Sequence, residues 1–370
     1  MSLLKFIALG CVSLAATSAS PAVDNVGADC TITSFSQVSS VTSSCTSVVV
    51  SNLDVPAGQT LQLFLKDGAT LTFQGTTKWE YAEWTGPLMW IRGKKIIVQG
   101  ASGSALDGQG ALYWDGKGGS GGVTKPQFLT IQATGGSVVR NINMKNCPET
   151  CVGITGSNLL TFSKFNIDNS AGDANQLARN TDGFDIAQSS NIHIDDSVVK
   201  NQDDCICVNS GKNLYFSNMH CSGSHGLSVA AGVSTSSYDL NTVSNVTFHN
   251  CVVVNAMLGI HVKTEADGGQ GVIDGLTYQN IQMTGSISDY GIQVNQNYRG
   301  TGGSGDPVGN VPIKGLTLSN VYGTVTGQYS TKVNILCASG ACTDFQWSSV
   351  ALTGGANPNS CNYEPSGFTC

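Results

Sequence analysis

Charge is scarce in this chain. Only 12% of its 370 residues are Asp, Glu, Lys or Arg, and 18 basic residues face 25 acidic ones. A formal charge of −7 argues against a nucleic-acid partner, which needs a basic surface. Any anionic substrate must find the few cations gathered where it binds. Long apolar runs are missing too: nothing after residue 20 approaches the roughly 20 apolar residues of a membrane span, so no membrane contact is expected. Helical periodicity is nearly absent beyond that point, and no Pro-rich or Ser/Gly-rich linker divides the rest. One domain over residues 21–370 is therefore expected, although a chain this long would ordinarily suggest two.

What is present begins with a leader. Lys5 supplies a positive start, Phe6 to Leu14 is apolar, and Ala15 to Ser20 is small-residue sequence suited to cleavage. Residues 1–20 read as a secretory signal, so the mature protein is expected to be soluble and extracellular. Of 13 cysteines, Cys11 lies in the leader and 12 remain, an even number suited to an oxidising compartment. Cys30 with Cys45, Cys147 with Cys151, Cys337 with Cys342 and Cys361 with Cys370 are candidate pairs. Cys205 with Cys221 would close a loop in the middle, and Cys207 and Cys251 are left over. Asn245-Val246-Thr247 is an N-glycosylation acceptor at Asn245.

One phrase recurs: apolar alternation, Asn, then apolar alternation again. It starts at Val139, Phe162, Ile194, Phe216 and Phe248, with later copies at Tyr278 and Leu318. The offsets are 23, 32, 22, 32, 30 and 40 residues, which a unit of 22 to 23 lengthened by surface loops fits. A unit of that length holds about three short strands, and successive units stack about 4.8 Å apart as a parallel β-helix. Equivalent Asn residues can then stack at the turns. A β-sandwich would not require the same internal pattern in every repeat. The fold class expected is all-β, a single-domain right-handed parallel β-helix.

Three polar motifs fall one coil apart. Asn180-Thr-Asp-Gly-Phe-Asp185 comes first, Gln202-Asp-Asp-Cys205 follows, and His225-Gly226 is next. Asp203 lies 21 residues after Asp182, and His225 lies 22 after Asp203, which stacks the three in a column with Asp204 beside them. Neighbouring carboxylates resist joint ionisation, so one is left protonated beside an ionised partner. Glycoside hydrolysis needs that division: an acid for the leaving oxygen and a carboxylate for the water or the sugar carbon. Calcium would want roughly 6 to 8 oxygen ligands, and a His in the column argues against it. No metal and no cofactor is expected.

NTDGFD at 180–185, QDDC at 202–205 and SHGLS at 224–228 resemble three signatures of the polygalacturonases, glycoside hydrolase family 28. Glu83-Trp-Thr-Gly-Pro-Leu88, Gly100-Ala-Ser-Gly103 and the Asp107–Gly116 segment are similar to early coils of the endo-acting enzymes. Asp289–Tyr298 resembles a later segment ending in a substrate-contacting Tyr, and the closing cysteines are similar too. The resemblance implies hydrolysis of α-1,4-linked galacturonic acid in pectin, with inversion at the anomeric carbon. It implies Asp203 as general acid, Asp182 and Asp204 on the attacking water, and His225 supporting Asp203. Lys263 would bind a substrate carboxylate, Tyr298 the sugar, and Asn180 would belong to the same substrate site. The Cys205–Cys221 bridge is implied as well, closing a loop worth about 3 kcal/mol beside the doublet. Pectin, or polygalacturonic acid, is the implied partner of a monomer.

The family's fourth signature is Arg-Ile-Lys or Arg-Val-Lys, whereas Gly259-Ile-His-Val-Lys263 places His261 at the Arg position. An imidazole lacks the two-pronged grip of a guanidinium, a loss of roughly 1.5–3 kcal/mol. Beside a galacturonate in mildly acidic surroundings, His261 is expected to become charged and replace part of it. Ser224 stands where the family usually has Gly, and Val229-Ala230-Ala231 where it usually has Ile-Gly-Ser, so added methyl groups are expected to obstruct the cradle. A weakened polygalacturonase, a hydrolase of a modified pectic backbone, and a non-hydrolysing pectin binder compete. The last would sequester substrate or occupy a proteinaceous inhibitor aimed at active relatives.

Overall fold

The structure is a computed structural model that describes residues 30–300 and 302–370. The leader expected over residues 1–20 lies outside them. All the strand pairings between successive coils are parallel, and together they form a right-handed parallel β-helix.

The repeated phrase sets the stacking. Val139, Phe162, Ile194, Phe216, Phe248, Tyr278 and Leu318 pair in register from coil to coil, and Trp347 extends the same column. All are buried in one continuous core. Phe216, Phe248 and Tyr278 have ring centroids 4.8 and 4.7 Å apart, the spacing of neighbouring coils.

The third position of every copy bends the chain. Asn141, Lys164, Asp196, Asn218, Asn250, Asn280, Asn320 and Ser349 all have φ between 47 and 56°. Asn visits this left-handed region more readily than most residues, which explains its recurrence there. A second row of turns carries an amide ladder. Asn245 donates to Asn213, Asn213 to Asn191 and Asn191 to Asn158, at 2.8, 3.1 and 2.8 Å.

Both ends of the helix are covered. The segment Val38–Ser44 is α-helical and buries Val38 and Val41 over the first coil, tied down by Cys30–Cys45. At the other end Tyr363 packs on Phe345 and Phe368 on Trp347. Closing the ends hides strand edges that would otherwise pair with another chain. The remaining disulfides are Cys147–Cys151, Cys205–Cys221, Cys337–Cys342 and Cys361–Cys370, while Cys207 and Cys251 are free and buried.

Candidate active site

Phe184, Ile206, Leu227, Ile260, Ile292 and Val333 stack in register and point into the core. Alternation along each strand therefore turns the next residue to the opposite face. That second column reads Asp185, Cys207, Ser228, His261, Gln293 and Asn334. A cleft of about 1360 Å³ crosses these coils from Lys117 to Asn334.

The Asp doublet sits in the turn entering Ile206–Val208 and is held by its neighbours. The buried Asn201 amide donates to the carbonyls of Thr181, Asp203 and Asp204 at 2.9, 3.1 and 2.9 Å. Cys205–Cys221 pins the residue that follows. Gly226, after the motif His, has φ +85°, and a Cβ there would meet the carbonyl oxygens of Gly259 and Leu258 at 2.4 and 2.5 Å. No other residue type fits that turn.

The stacking differs from the expected column in one respect. Gly183 N–H donates to Asp204 C=O, so Asp182 lies over Asp204 rather than over Asp203. Asp203 is the carboxylate that lines the cleft. Its Oδ1 accepts from His225 Nδ1 at 3.0 Å and from Asp204 N–H at 2.9 Å, and its Oδ2 accepts from Asn180 Nδ2 at 3.1 Å.

Asp204 is 1% exposed. Ser228 Oγ donates to its Oδ1 at 2.5 Å and Lys263 Nζ to its Oδ2 at 2.9 Å. Burial opposes its charge, but Lys263 leads a set of partners, Ser228 included, that outweighs burial and holds this carboxyl below the usual range. Asp182 goes the other way: burial, then Asp185, Asp203 and Asp204, push it well above that range. Burial, with Asp204 and Asp203 nearby, also pushes Asp185 up to about 7. For His225, burial favours the neutral ring, but the Asp203 hydrogen bond and charge win and raise its pKa. Asp204 is thus biased toward the ionised form and Asp182 toward the protonated one, the division that acid–base chemistry uses.

Lys263 is 7% exposed, and the Tyr298 ring covers its ammonium at 4.8 Å from the centroid. Tyr298 donates its hydroxyl to Gly300 C=O at 2.9 Å. His261 lies edge-on to the same ring and is 6% exposed. Burial, and then the Lys263 charge, lower its pKa to about 3. In the substrate-free site His261 is therefore neutral in mildly acidic surroundings, whereas the charged ring was expected with a galacturonate carboxylate beside it. Ser224 and Ala231 are wholly buried, and neither they nor Ala230 lines the cleft. Ser224 Oγ accepts from Gly226 N–H and so supports the turn. The obstruction expected from these three positions is not present.

Reading by motif passed over Asp185, Ser228, Asn201 and Asn295. Asp185 carried a signal, since it follows the core residue Phe184 and so points away from the core, although it does not line the cleft. Among the described residues two groups could chelate an ion, Asp182–Asp204–Cys207 and Asp203–Asp204–His225. Both oxygens of Asp204, common to both, are already engaged by Lys263 and Ser228. Asn245 is exposed on the amide ladder, its Nδ2 donating to Asn213.

Comparison with known proteins adds an independent line. The sequence profile described as "Glycosyl hydrolases family 28" matches residues 45–370. The chain is 52% identical over 372 residues to a polygalacturonase of Phaedon cochleariae, spanning 100% of both. It is 43% identical over 371 residues to a probable endopolygalacturonase I of Aspergillus terreus, spanning 100% of this chain and 99% of that one. Among solved structures it is similar to endopolygalacturonase I of Stereum purpureum complexed with two galacturonate. That match has 31% identity and a TM-score of 0.78, over 90% of this chain and 96% of that one. An endo-xylogalacturonan hydrolase from Aspergillus tubingensis shares the fold at 21% identity and a TM-score of 0.71, over 92% and 98% of the two chains.

Proposed function

The chain belongs to glycosyl hydrolases family 28, and from that premise we propose that it hydrolyses α-1,4-galacturonosyl linkages of pectin with inversion. The observation that carries the reading is the fixed Asp204 carboxylate between Lys263 and Ser228, with Asp182, whose pKa burial and its neighbours raise, over it and Asp203 in front. Asp204 is the base for the attacking water, and Asp182 holds that water by its proton. Asp203, facing the cleft and bonded through Oδ1 to His225, delivers a proton to the leaving oxygen when it carries one. Asn180 fixes the Asp203 carboxyl, while Tyr298, His261 and Lys263 border the sugar. Oxygens of Asp203 and Asp204 approach within 4.8 Å, closer than the roughly 6.5–9.5 Å usual for inverting pairs. Inversion therefore rests on the family resemblance and on the closeness of Asp182 and Asp204, where this reading places the attacking water. The five disulfides support export, as the leader does.

A second reading, a pectin binder without turnover, is favoured by one observation: the neutral His261 in the cradle. Incubation of the purified protein with polygalacturonic acid and pectin, followed for new reducing ends, separates the two. Hydrolysis predicts oligomers, and a loss of roughly 10²–10⁴ in rate for Asp203→Asn with an unchanged melting temperature. Retained binding with no new ends on either polymer establishes the binder instead.

A further inference from the structure

The cations of the cleft are gathered on one side. Lys117, Arg179 and Lys200 precede the catalytic group, and of these Lys117 and Arg179 make no ion pair among the described residues. On the far side Lys263 is committed to Asp204, and beyond it the one charged lining residue is the anion Asp289. A free carboxylate placed there shares a single ammonium with Asp204. A buried charge without its own partner is strongly disfavoured.

Hydrogen bonding fixes the imidazole independently. Asn297 Nδ2 donates to Gly305 C=O at 3.0 Å, which orients that amide. Its Oδ1 accepts from Asn295 Nδ2 at 3.2 Å, which orients the next. Asn295 Oδ1 is left facing His261 Nε2 at 3.1 Å, so Nε2 carries the proton. His261 Nδ1 then carries a lone pair that is buried without a partner, and with Nε2 committed to Asn295 the ring has no free N–H to offer. A neutral ring without a free N–H gives a substrate carboxylate neither charge nor hydrogen bond. The same coil adds Met257, 40% exposed, with Ala256 and Leu258 beside it in the wall. That wall suits a methyl group.

We infer that the galacturonosyl unit held against the Met257–His261 wall is methyl-esterified, while free carboxylates are taken on the opposite side, by Lys117 and Arg179. An ester carbonyl needs one donor and no counter-charge, and its methyl meets the Met257 side of the wall. The inference rests on the hydrolase reading and names its substrate as partly esterified pectin.

The test measures initial rates of reducing-end formation on polygalacturonic acid and on pectins of low, intermediate and high esterification, at equal uronic acid. Wild type is expected to work roughly tenfold or more faster on an intermediate pectin than on the unesterified polymer. Mass spectrometry of the products should find esters enriched in one of the two units flanking each cut and depleted in the other. His261→Arg should move the preference back toward polygalacturonic acid. If that variant fails to fold, the wild-type profile alone decides. Faster cleavage of polygalacturonic acid by wild type, with no ester beside the cuts, overturns the inference and leaves the hydrolase reading intact. No cleavage of any polymer instead sinks the hydrolase reading. Affinity for immobilised pectins then decides this inference: tighter binding to the esterified polymer upholds it, and tighter binding to the unesterified one overturns it.

Discussion

Lys263 Nζ lies 2.9 Å from Asp204 Oδ2, and the two side chains are 9% and 2% exposed. Each charge in this pair is tolerable only because the other is present. Burial alone would strip the proton from Lys263, and Asp204 is the leading reason it stays charged well above its ordinary range. Breaking such a pair from one side typically costs about 3–5 kcal/mol, whereas replacing both partners with neutral groups is often harmless.

Lys263→Met should therefore lower stability by about 3–5 kcal/mol in denaturant unfolding. Adding Asp204→Asn to that variant should recover most of the loss and restore no activity. If Lys263→Met melts like wild type, the pair does not carry the burden assigned to it.

Asp185 makes stability depend on pH. Its folded-state pKa of about 7 lies above the 3.8 of a free carboxyl, so between those values the folded protein binds a proton that the unfolded chain does not. Its contribution is fully present below about pH 4 and is lost as pH rises toward 7. Melting temperatures of Asp185→Asn and wild type should differ in the variant's favour more at neutral pH than in acid. A difference that stays constant across this window would show that Asp185 titrates normally.

The amide ladder gives a prediction outside the site. Asn213 sits at φ 57° with ladder bonds on both sides. Asn213→Ala forfeits those bonds and forces a β-carbon into the left-handed region, at about 1–2 kcal/mol for the backbone alone. Asn213→Gly removes the same bonds without that strain, so it should be the more stable of the two in thermal melts. Equal losses would show that the turn conformation does not matter there.

Much of this architecture was legible in the sequence, because a β-helix repeats its constraints. The phrase starting at Val139 marked residues that stack in register, and its third position proved to be the left-handed bend. Short spacing was also enough for the five cysteine pairs. The register of the Asp doublet was not legible. Offsets of 21 and 22 residues differ by one, and only the hydrogen bond of Gly183 to Asp204 decides which Asp lies under Asp182. Nor could the charge of His261 be read, since burial and the Asn295–Asn297–Gly305 relay join residues over 40 positions apart in the chain. Ser224 and Ala231 looked like obstructions because a motif shows identity and not the direction a side chain takes.

The most direct measurement follows anomeric protons by NMR while the protein digests a partly esterified pectin. With Asp204 as base and Asp203 as acid, α-linked units should release reducing ends that appear first as the β anomer and then mutarotate. Asp203→Asn should release none on the same timescale. Ends that appear first as the α anomer would contradict this assignment, making one carboxylate of the group a nucleophile that forms a covalent glycosyl intermediate.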